Sequence, residues 1–272
     1  MSKVAAIQMA SGPNIQANLD EAAKLIDDAV ASGAQLLVLP ENFAQMAMAD
    51  TERVQQAEIH GDGLIQTFLS SQAAKHKIWL VGGTIPLHSQ QAGKALASCL
   101  LFNDQGEEVA CYNKIHMFDV LLTDSESYNE SATTEAGDKP VVVDTPFGRL
   151  GLAICYDLRF PELFRSMVND GMNICALPSA FTANTGKAHW EALIRARAIE
   201  NQCYMIASAQ GGYHLNGRET HGDSMIVDHW GNVLDRLVSG SGVVLADIDL
   251  ELLDTTRKNF PVLQHQRMSC DI

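Results

Sequence analysis

The 272-residue sequence predicts an α/β protein, a four-layer α-β-β-α sandwich of two β-sheets flanked by helices. Two observations carry this prediction. Short apolar runs of strand length alternate with segments whose apolar residues recur at helical spacing. An internal echo then divides the chain, because Leu37-Val38-Leu39-Pro40-Glu41-Asn42-Phe43 parallels Cys175-Ala176-Leu177-Pro178-Ser179-Ala180-Phe181. Each copy follows a strand and a helix and precedes a second helix and another strand. Two β-α-β-α-β halves result, each a sheet covered by helices on one side, and packing the bare sheet faces together gives the four layers. The halves would share one core, so residues 1–272 read as a single domain.

Residues 3–10 form the first strand candidate. In the helix that follows, Ala22, Leu25, Ile26, Ala29 and Val30 fall on one face, and Gly33 ends it. Residues 35–39 are a short buried strand that delivers Pro40-Glu41-Asn42-Phe43. A helix over 64–75 leads to a strand over 78–85. After the polar residues 90–94, strands at 95–102 and 107–112 flank the hairpin signal Asn103-Asp104-Gln105-Gly106. Residues 118–137 show little periodicity and many polar groups, the mark of a functional or disordered loop. Strands at 141–144 and 149–154 surround Pro146-Phe147-Gly148. Next come a helix over 162–169, a strand over 173–177 and a helix over 187–201 with Trp190, Leu193, Ile194 and Ala198 on one face. Strand candidates at 204–209, 223–227, 233–237 and 243–250 close the sheet-forming material, and the chain from 257 onward reads as irregular.

Hydrophobic residues make up 46% of the chain and charged residues 19%, enough apolar material for a sizeable core. The formal net charge of −14 argues against nucleic acid or an anionic membrane surface as a partner. It does not exclude an anionic small substrate, because a local Arg or Lys overrides the global field. No apolar run approaches the ~18 residues of a membrane span. Six cysteines, at 99, 111, 155, 175, 203 and 270, are scattered without a C-x-x-C pair. No signal peptide is evident, so reduced thiols in a cytoplasm are expected. The histidines are dispersed, without metal-ligand spacing. Gly82-Gly83-Thr84 is the nearest glycine pair after a strand, and it lacks the G-x-x-x-x-G-K-S/T phosphate cradle.

Chemistry concentrates in Gly151-Leu-Ala-Ile-Cys155-Tyr-Asp-Leu-Arg159-Phe-Pro161-Glu-Leu163. The apolar run 150–154 reads as a buried strand, and Pro161 suits the first turn of a helix. Cys155 then sits at a sharp turn beside a helix N-terminus, where unpaired N–H groups favour a thiolate. The competing reading is an inert core cysteine. Glu41 in Leu-Pro-Glu-Asn-Phe and Lys114 in Tyr-Asn-Lys-Ile-His also end apolar strands. A carboxylate beside a thiol accepts its proton, and an ammonium stabilises an oxyanion. Singly, such residues are most often surface charges. The rivals are a papain-like pairing of the cysteine with His116 or His189, and a catalytically silent binding module on the same fold.

Together these pieces resemble the carbon–nitrogen hydrolase (nitrilase) superfamily, whose Glu-Lys-Cys triad occurs in this order, over residues 4–248. The resemblance implies the same four-layer sandwich, with Glu41, Lys114 and Cys155 as catalytic residues. It adds a second glutamate in the loop after the lysine, for which Glu130 in Tyr-Asn-Glu-Ser fits better than Glu126. Cys155-Tyr-Asp-Leu-Arg-Phe resembles the amidase branches. Pro178-Ser179-Ala180-Phe181, Thr185-Gly186, Ala188-His189-Trp190-Glu191 and Arg195-Ala196-Arg197-Ala198-Ile199-Glu200 are similar to the deaminated-glutathione amidase group, with omega-amidase its close relative. By that similarity Tyr156, Arg159, Phe181 and Thr185 line the substrate pocket, and Arg159 faces a carboxylate on a small carboxylate-bearing amide. The resemblance implies no metal or organic cofactor. It also implies a homodimer or higher homo-oligomer, paired through the helix after the cysteine. Lys187 stands where that group usually has proline, and Gly222-Asp223-Ser224 and Asp228-His229-Trp230 replace Gly-His-Ser and Asp-Pro-Trp.

Overall fold

A computed structural model describes residues 1–123 and 126–268 of the chain; Cys270 and part of the loop 118–137 lie outside the described residues. The first half runs β1 (Ser2–Gln8), α1 (Ile15–Ala31), β2 (Leu36–Val38), α2 (Asp50–Gln55), α3 (Leu64–His76), β3 (Trp79–Val81), β4 (Ile85–His88), β5 (Ala95–Phe102) and β6 (Glu108–Asn113). Then come β7 (Asp119–Thr123), β8 (Glu126–Asn129) and β9 (Thr134–Glu135). The second half runs β10 (Val141–Thr145), β11 (Gly148–Leu152), α4 (Pro161–Asn169), β12 (Ile174–Ser179), α5 (Ala183–Asn201), β13 (Tyr204–Ala209) and β14 (Gly211–Tyr213). It ends with β15 (Glu219–His221), β16 (Ser224–Val227), β17 (Val233–Leu237), β18 (Gly242–Ile248) and α6 (Leu250–Asn259).

The internal echo has a structural counterpart. β2 lies between β1 and β3, parallel to both, and β12 lies between β11 and β13 in the same way. Each echoed segment is therefore the middle strand of a parallel triplet, and its C-terminal end opens at a sheet rim, where α/β proteins place ligands. The period-2 alternation of strands sorts side chains into layers. In β1, Val4 and Ala6 join the core shared with the second sheet, while Ala5 and Ile7 join the core under α1 and α3. β2 does the same, with Leu36 and Val38 on one side and Leu37 on the other. On the second sheet α4 packs through Leu163, Phe164 and Met167, and α5 through Trp190, Ile194 and Ala198. The result is the α-β-β-α sandwich.

Four expectations need correction. The strand expected over 78–85 is two strands, because Gly82 and Gly83 turn the chain between β3 and β4. The 118–137 stretch is not structureless: β7 and β8 pair as an antiparallel hairpin and β9 adds beside β5. That hairpin lies half exposed, so no apolar alternation announces it. The C-terminal strand does not stay with the second half. β18 pairs with β1 from Ser2↔Ile248 to Gln8↔Gly242, and so covers the open edge of the first sheet. Finally, the chain is helical to Asn259. Asp249 caps α6 by accepting from the Leu252 N–H at 2.9 Å, and only Leu253 of that helix is fully buried, too thin an apolar face to read from sequence.

Gly82-Gly83-Thr84 supports the turn that follows β2. Gly83 adopts φ +59°, and a Cβ there would sit 2.2 Å from the Pro40 carbonyl oxygen. Thr84 Oγ1 accepts from the Asn42 N–H at 2.9 Å. Both contacts clamp the turn that carries Glu41. Gly83→Ala should therefore cost on the order of 2–4 kcal/mol in urea unfolding, since it adds left-handed strain to a backbone clash. Gly82→Ala meets chiefly a movable Leu69 methyl and should cost distinctly less. Equal losses would show that the Pro40 contact does not constrain this turn.

Candidate active site

β11 ends in Leu152, and the chain reaches Cys155 through buried Ala153 and Ile154. Cys155 itself has φ +46°, an uncommon conformation for a residue with a side chain. A single 3₁₀ turn, Cys155–Arg159, separates it from α4, which Pro161 opens as expected. The elbow is held from beneath by Asp157, which is 0% exposed. Its carboxylate accepts from the Ile154 N–H at 2.9 Å, the Tyr112 hydroxyl at 2.8 Å and the His116 N–H at 3.1 Å, and it contacts His116 Nδ1 at 2.7 Å. Sequence reading gave Asp157 no role. Its position shows that one buried carboxylate joins the cysteine elbow to the chain just after Lys114.

Glu41, Lys114 and Glu130 converge on this elbow. Lys114, 2% exposed, follows β6, and its Nζ donates to Glu41 Oε1 at 3.1 Å and to both Glu130 oxygens at 2.9 Å. Glu130 Oε2 also accepts the Phe118 N–H at 2.7 Å, and Arg53 Nη1 lies 3.9 Å from Oε1. Glu126 instead bonds Asn184 Nδ2 at 2.9 Å and Tyr128, so Glu130 is the glutamate that meets the lysine. Burial alone would depress the Lys114 ammonium, but Glu130 and then Glu41 outweigh it and hold the group above its usual range. Burial likewise pushes Glu130 up, and Lys114 and Arg53 more than reverse this.

The thiol departs from the sequence-based expectation. Burial, followed by the negative charge of Glu41, raises Cys155 well above the usual cysteine range; Lys114 opposes the shift without cancelling it. That direction favours the neutral thiol, with burial its largest cause and Glu41 its second. Neither rival base takes the place of Glu41: His116 is spent on Asp157 and stacks on Phe160 with ring centroids 3.6 Å apart, and His189 Nδ1 accepts from Arg159 Nη1 at 3.2 Å.

The cavity holding these groups opens to solvent on one side. Tyr156, Arg159, Phe181 and Thr185 all line it, as expected. The Arg159 guanidinium carbon lies 5.2 Å from the Phe181 ring centre and 5.8 Å from that of Tyr156. Among the described residues no carboxylate pairs with Arg159. Thr185 Oγ1 sits 2.8 Å from Thr182 Oγ1, at the start of α5. Sequence reading missed Arg53, Phe118, Tyr128 and Arg218, which also line the cavity; they lie in polar stretches that resemble ordinary surface. Away from the cavity, folding brings His60, Glu108 and Cys111 within 4.8 Å of one another, a grouping that sequence spacing does not reveal. The unusual Asp223 is buried against Arg236, whose Nε donates to Oδ1 at 2.9 Å.

Comparison with known proteins agrees with this geometry. The family model for carbon-nitrogen hydrolase matches residues 3–258. The chain is 45% identical over 265 residues to a deaminated glutathione amidase of Synechocystis sp., covering 96% of this chain and 97% of the relative. It superposes on the C. elegans NitFhit protein with a TM-score of 0.89 and 38% identity, covering 98% of this chain and 65% of that longer one. On Saccharomyces cerevisiae Nit3, a member of branch 10 of the nitrilase superfamily, the TM-score is 0.86 with 32% identity, over 96% of this chain and 94% of that one. No helix among the described residues is long and apolar enough to cross a membrane. The chain belongs to the carbon–nitrogen hydrolase family and is a hydrolase of carbon–nitrogen bonds other than peptide bonds.

Proposed function

We propose that this enzyme hydrolyses the amide bond of a small carboxylate-bearing amide through a cysteine thioester, with deaminated glutathione as the leading substrate and α-ketoglutaramate second. The observation that carries this reading is the meeting of a thiol, a carboxylate and a buried ammonium in one cavity with the Arg159 guanidinium, with which no carboxylate among the described residues pairs. Glu41 takes the proton from Cys155 Sγ as sulfur attacks the amide carbon. The oxyanion is stabilised by Lys114 Nζ and by the Tyr156 N–H, which lies in the first turn of a short helix and lacks an intrahelical partner. Glu41 returns the proton to the leaving nitrogen as the C–N bond breaks, leaving a thioester. It then deprotonates the water that attacks the thioester, and the carboxylic acid departs as the thiol is restored. Glu130 keeps Lys114 charged and in place. Arg159 receives the acyl-side carboxylate with two parallel hydrogen bonds, while Phe181 and Thr185 shape the pocket around it.

The similarity to the deaminated glutathione amidase of Synechocystis supports the substrate assignment. Exposed Ile199 and Phe260, on the flank of α4, support pairing of two copies through that face. The free cysteines among the described residues suit a reducing, cytoplasmic setting.

Three results are expected. Cys155→Ala should lose on the order of 10³-fold or more in turnover at an unchanged melting temperature, and retained activity would end this reading. Glu41→Gln should also lose turnover, and its Cys155 should be alkylated more slowly by iodoacetamide at neutral pH, because no base remains to take the thiol proton as sulfur attacks. Alkylation at the parent rate or faster would show that Glu41 acts on the thiol only through its charge. Arg159→Lys should raise KM for an acidic amide by about 1–3 kcal/mol more than for a neutral one. Equal losses on both would make Arg159 structural.

A further inference from the structure

The cavity has two half-buried guanidinium poles, Arg159 and Arg218, and the mechanism above employs only one. Arg159 lies beside the nucleophile. Arg218 lies at the other end of a wall of three aromatic rings: its guanidinium carbon is 5.2 Å from the centre of Tyr128, which is 5.0 Å from Phe118. Phe118 is 5.0 Å from Tyr156, whose ring Arg159 approaches at 5.8 Å. The place of Arg218 is built by the fold. It follows the tip of the hairpin of β14 and β15, where the His214 N–H donates to the Arg218 carbonyl at 2.9 Å and the Arg218 N–H donates to Asn216 Oδ1 at 3.0 Å. Asn216 Nδ2 donates to the Ala47 carbonyl at 2.8 Å, which ties the hairpin to the rim of the first sheet. Asp50 Oδ1 accepts from Arg218 Nη2 at 3.1 Å, and no other carboxylate pairs with this guanidinium among the described residues.

We infer that Arg218 binds a carboxylate on the leaving group, so that the cavity selects amides that are anionic on both sides of the scissile bond. The inference rests on the substrate class proposed above. Deaminated glutathione joins a 2-oxo acid, through its distal carbonyl, to the nitrogen of cysteinylglycine. It therefore carries one carboxylate on the acyl side and one at the far end of the leaving dipeptide. Arg159 takes the first. The second lies several bonds beyond the scissile nitrogen, and Arg218 is joined to Arg159 only through the successive ring contacts of Tyr128, Phe118 and Tyr156. The guanidinium keeps N–H donors beyond the one given to Asp50, and its fork matches a carboxylate. α-Ketoglutaramate releases only ammonia and leaves Arg218 nothing to hold. The aromatic wall between the poles offers apolar surface to the methylene groups that separate the two anions.

The test measures kcat/KM for the unaltered enzyme, Arg218→Ala and Arg218→Lys. The substrates are deaminated glutathione, its analogue with the glycine carboxylate converted to a carboxamide, and α-ketoglutaramate. The unaltered enzyme should favour the free carboxylate over the carboxamide by about 10-fold or more, the scale of a charged hydrogen bond. Arg218→Ala should abolish that preference, chiefly through KM, and lower the ratio of deaminated glutathione to α-ketoglutaramate by the same factor. Arg218→Lys should restore part of it. Indifference of the unaltered enzyme to the carboxamide would overturn the inference, whether or not the variants fold. So would equal losses on all three substrates. Turnover of α-ketoglutaramate without turnover of deaminated glutathione would overturn the substrate assignment, and the inference with it.

Discussion

An ammonium group that is 2% exposed stays charged only where carboxylates meet it inside the protein. Lys114 is such a group, and its two partners come from different parts of the fold. Glu41 comes from the turn after β2, and Glu130 from the short helical turn after β8. Neither can move without stranding a buried charge, so the strand ends, the 118–137 segment and the cavity floor are fixed against one another. Arg53 extends the cluster to α2. The second sheet is bound in through Asp157, whose carboxylate reaches both the backbone at Ile154 and the His116 segment next to Lys114. The chemistry of the site and the docking of the two sheets therefore rest on the same few interactions.

How much of this was legible in the sequence follows from what each signal measures. Periodicity reports burial on one face, so α1, with Leu25, Ile26 and Ala29 inside, and the buried strands β2, β5, β12 and β13 were readable. α6 and the hairpin of β7 and β8 bury too little to leave a trace, and their order comes from capping and from Glu130. The triad candidates were legible because each ends an apolar run. Arg53, Arg218 and Tyr128 were not, since a charged or aromatic residue in a polar stretch looks the same whether it borders a cavity or bulk water. Asp157 was hidden for the opposite reason: its neighbours in sequence, Tyr156 and Leu158, say nothing of the three donors that surround it. The direction of the Cys155 shift was misread because folding buries the sulfur and sets Glu41, remote in sequence, beside it.

A thiol kept protonated at rest has chemical consequences. A thiolate standing free at neutral pH reacts with any electrophile or oxidant that enters. In the proposed mechanism the nucleophile forms only as Glu41 takes the proton, in the same event that brings the carbonyl against sulfur. The left-handed backbone at Cys155 and at Asn42 costs on the order of 1–3 kcal/mol each. Both residues stand at the junctions where thiol and carboxylate enter the cavity, so strain is spent where direction of approach matters most.

The pairing of β18 with β1 joins residues 242–248 to residues 2–8. On a growing chain the first sheet, whose rim carries Glu41, keeps an open edge until residues 242–248 have been made. Contacts of such sequence separation form late and slowly. The parallel triplets β1-β2-β3 and β11-β12-β13, whose strands are joined by α1, α3, α4 and α5, pair segments much closer in sequence. A chain cut short before β18 would expose an unpaired strand bearing Val4, Ala5, Ala6 and Ile7, a segment suited to pairing with another copy. Synthesis of β18 thus acts as a checkpoint on solubility as well as on folding.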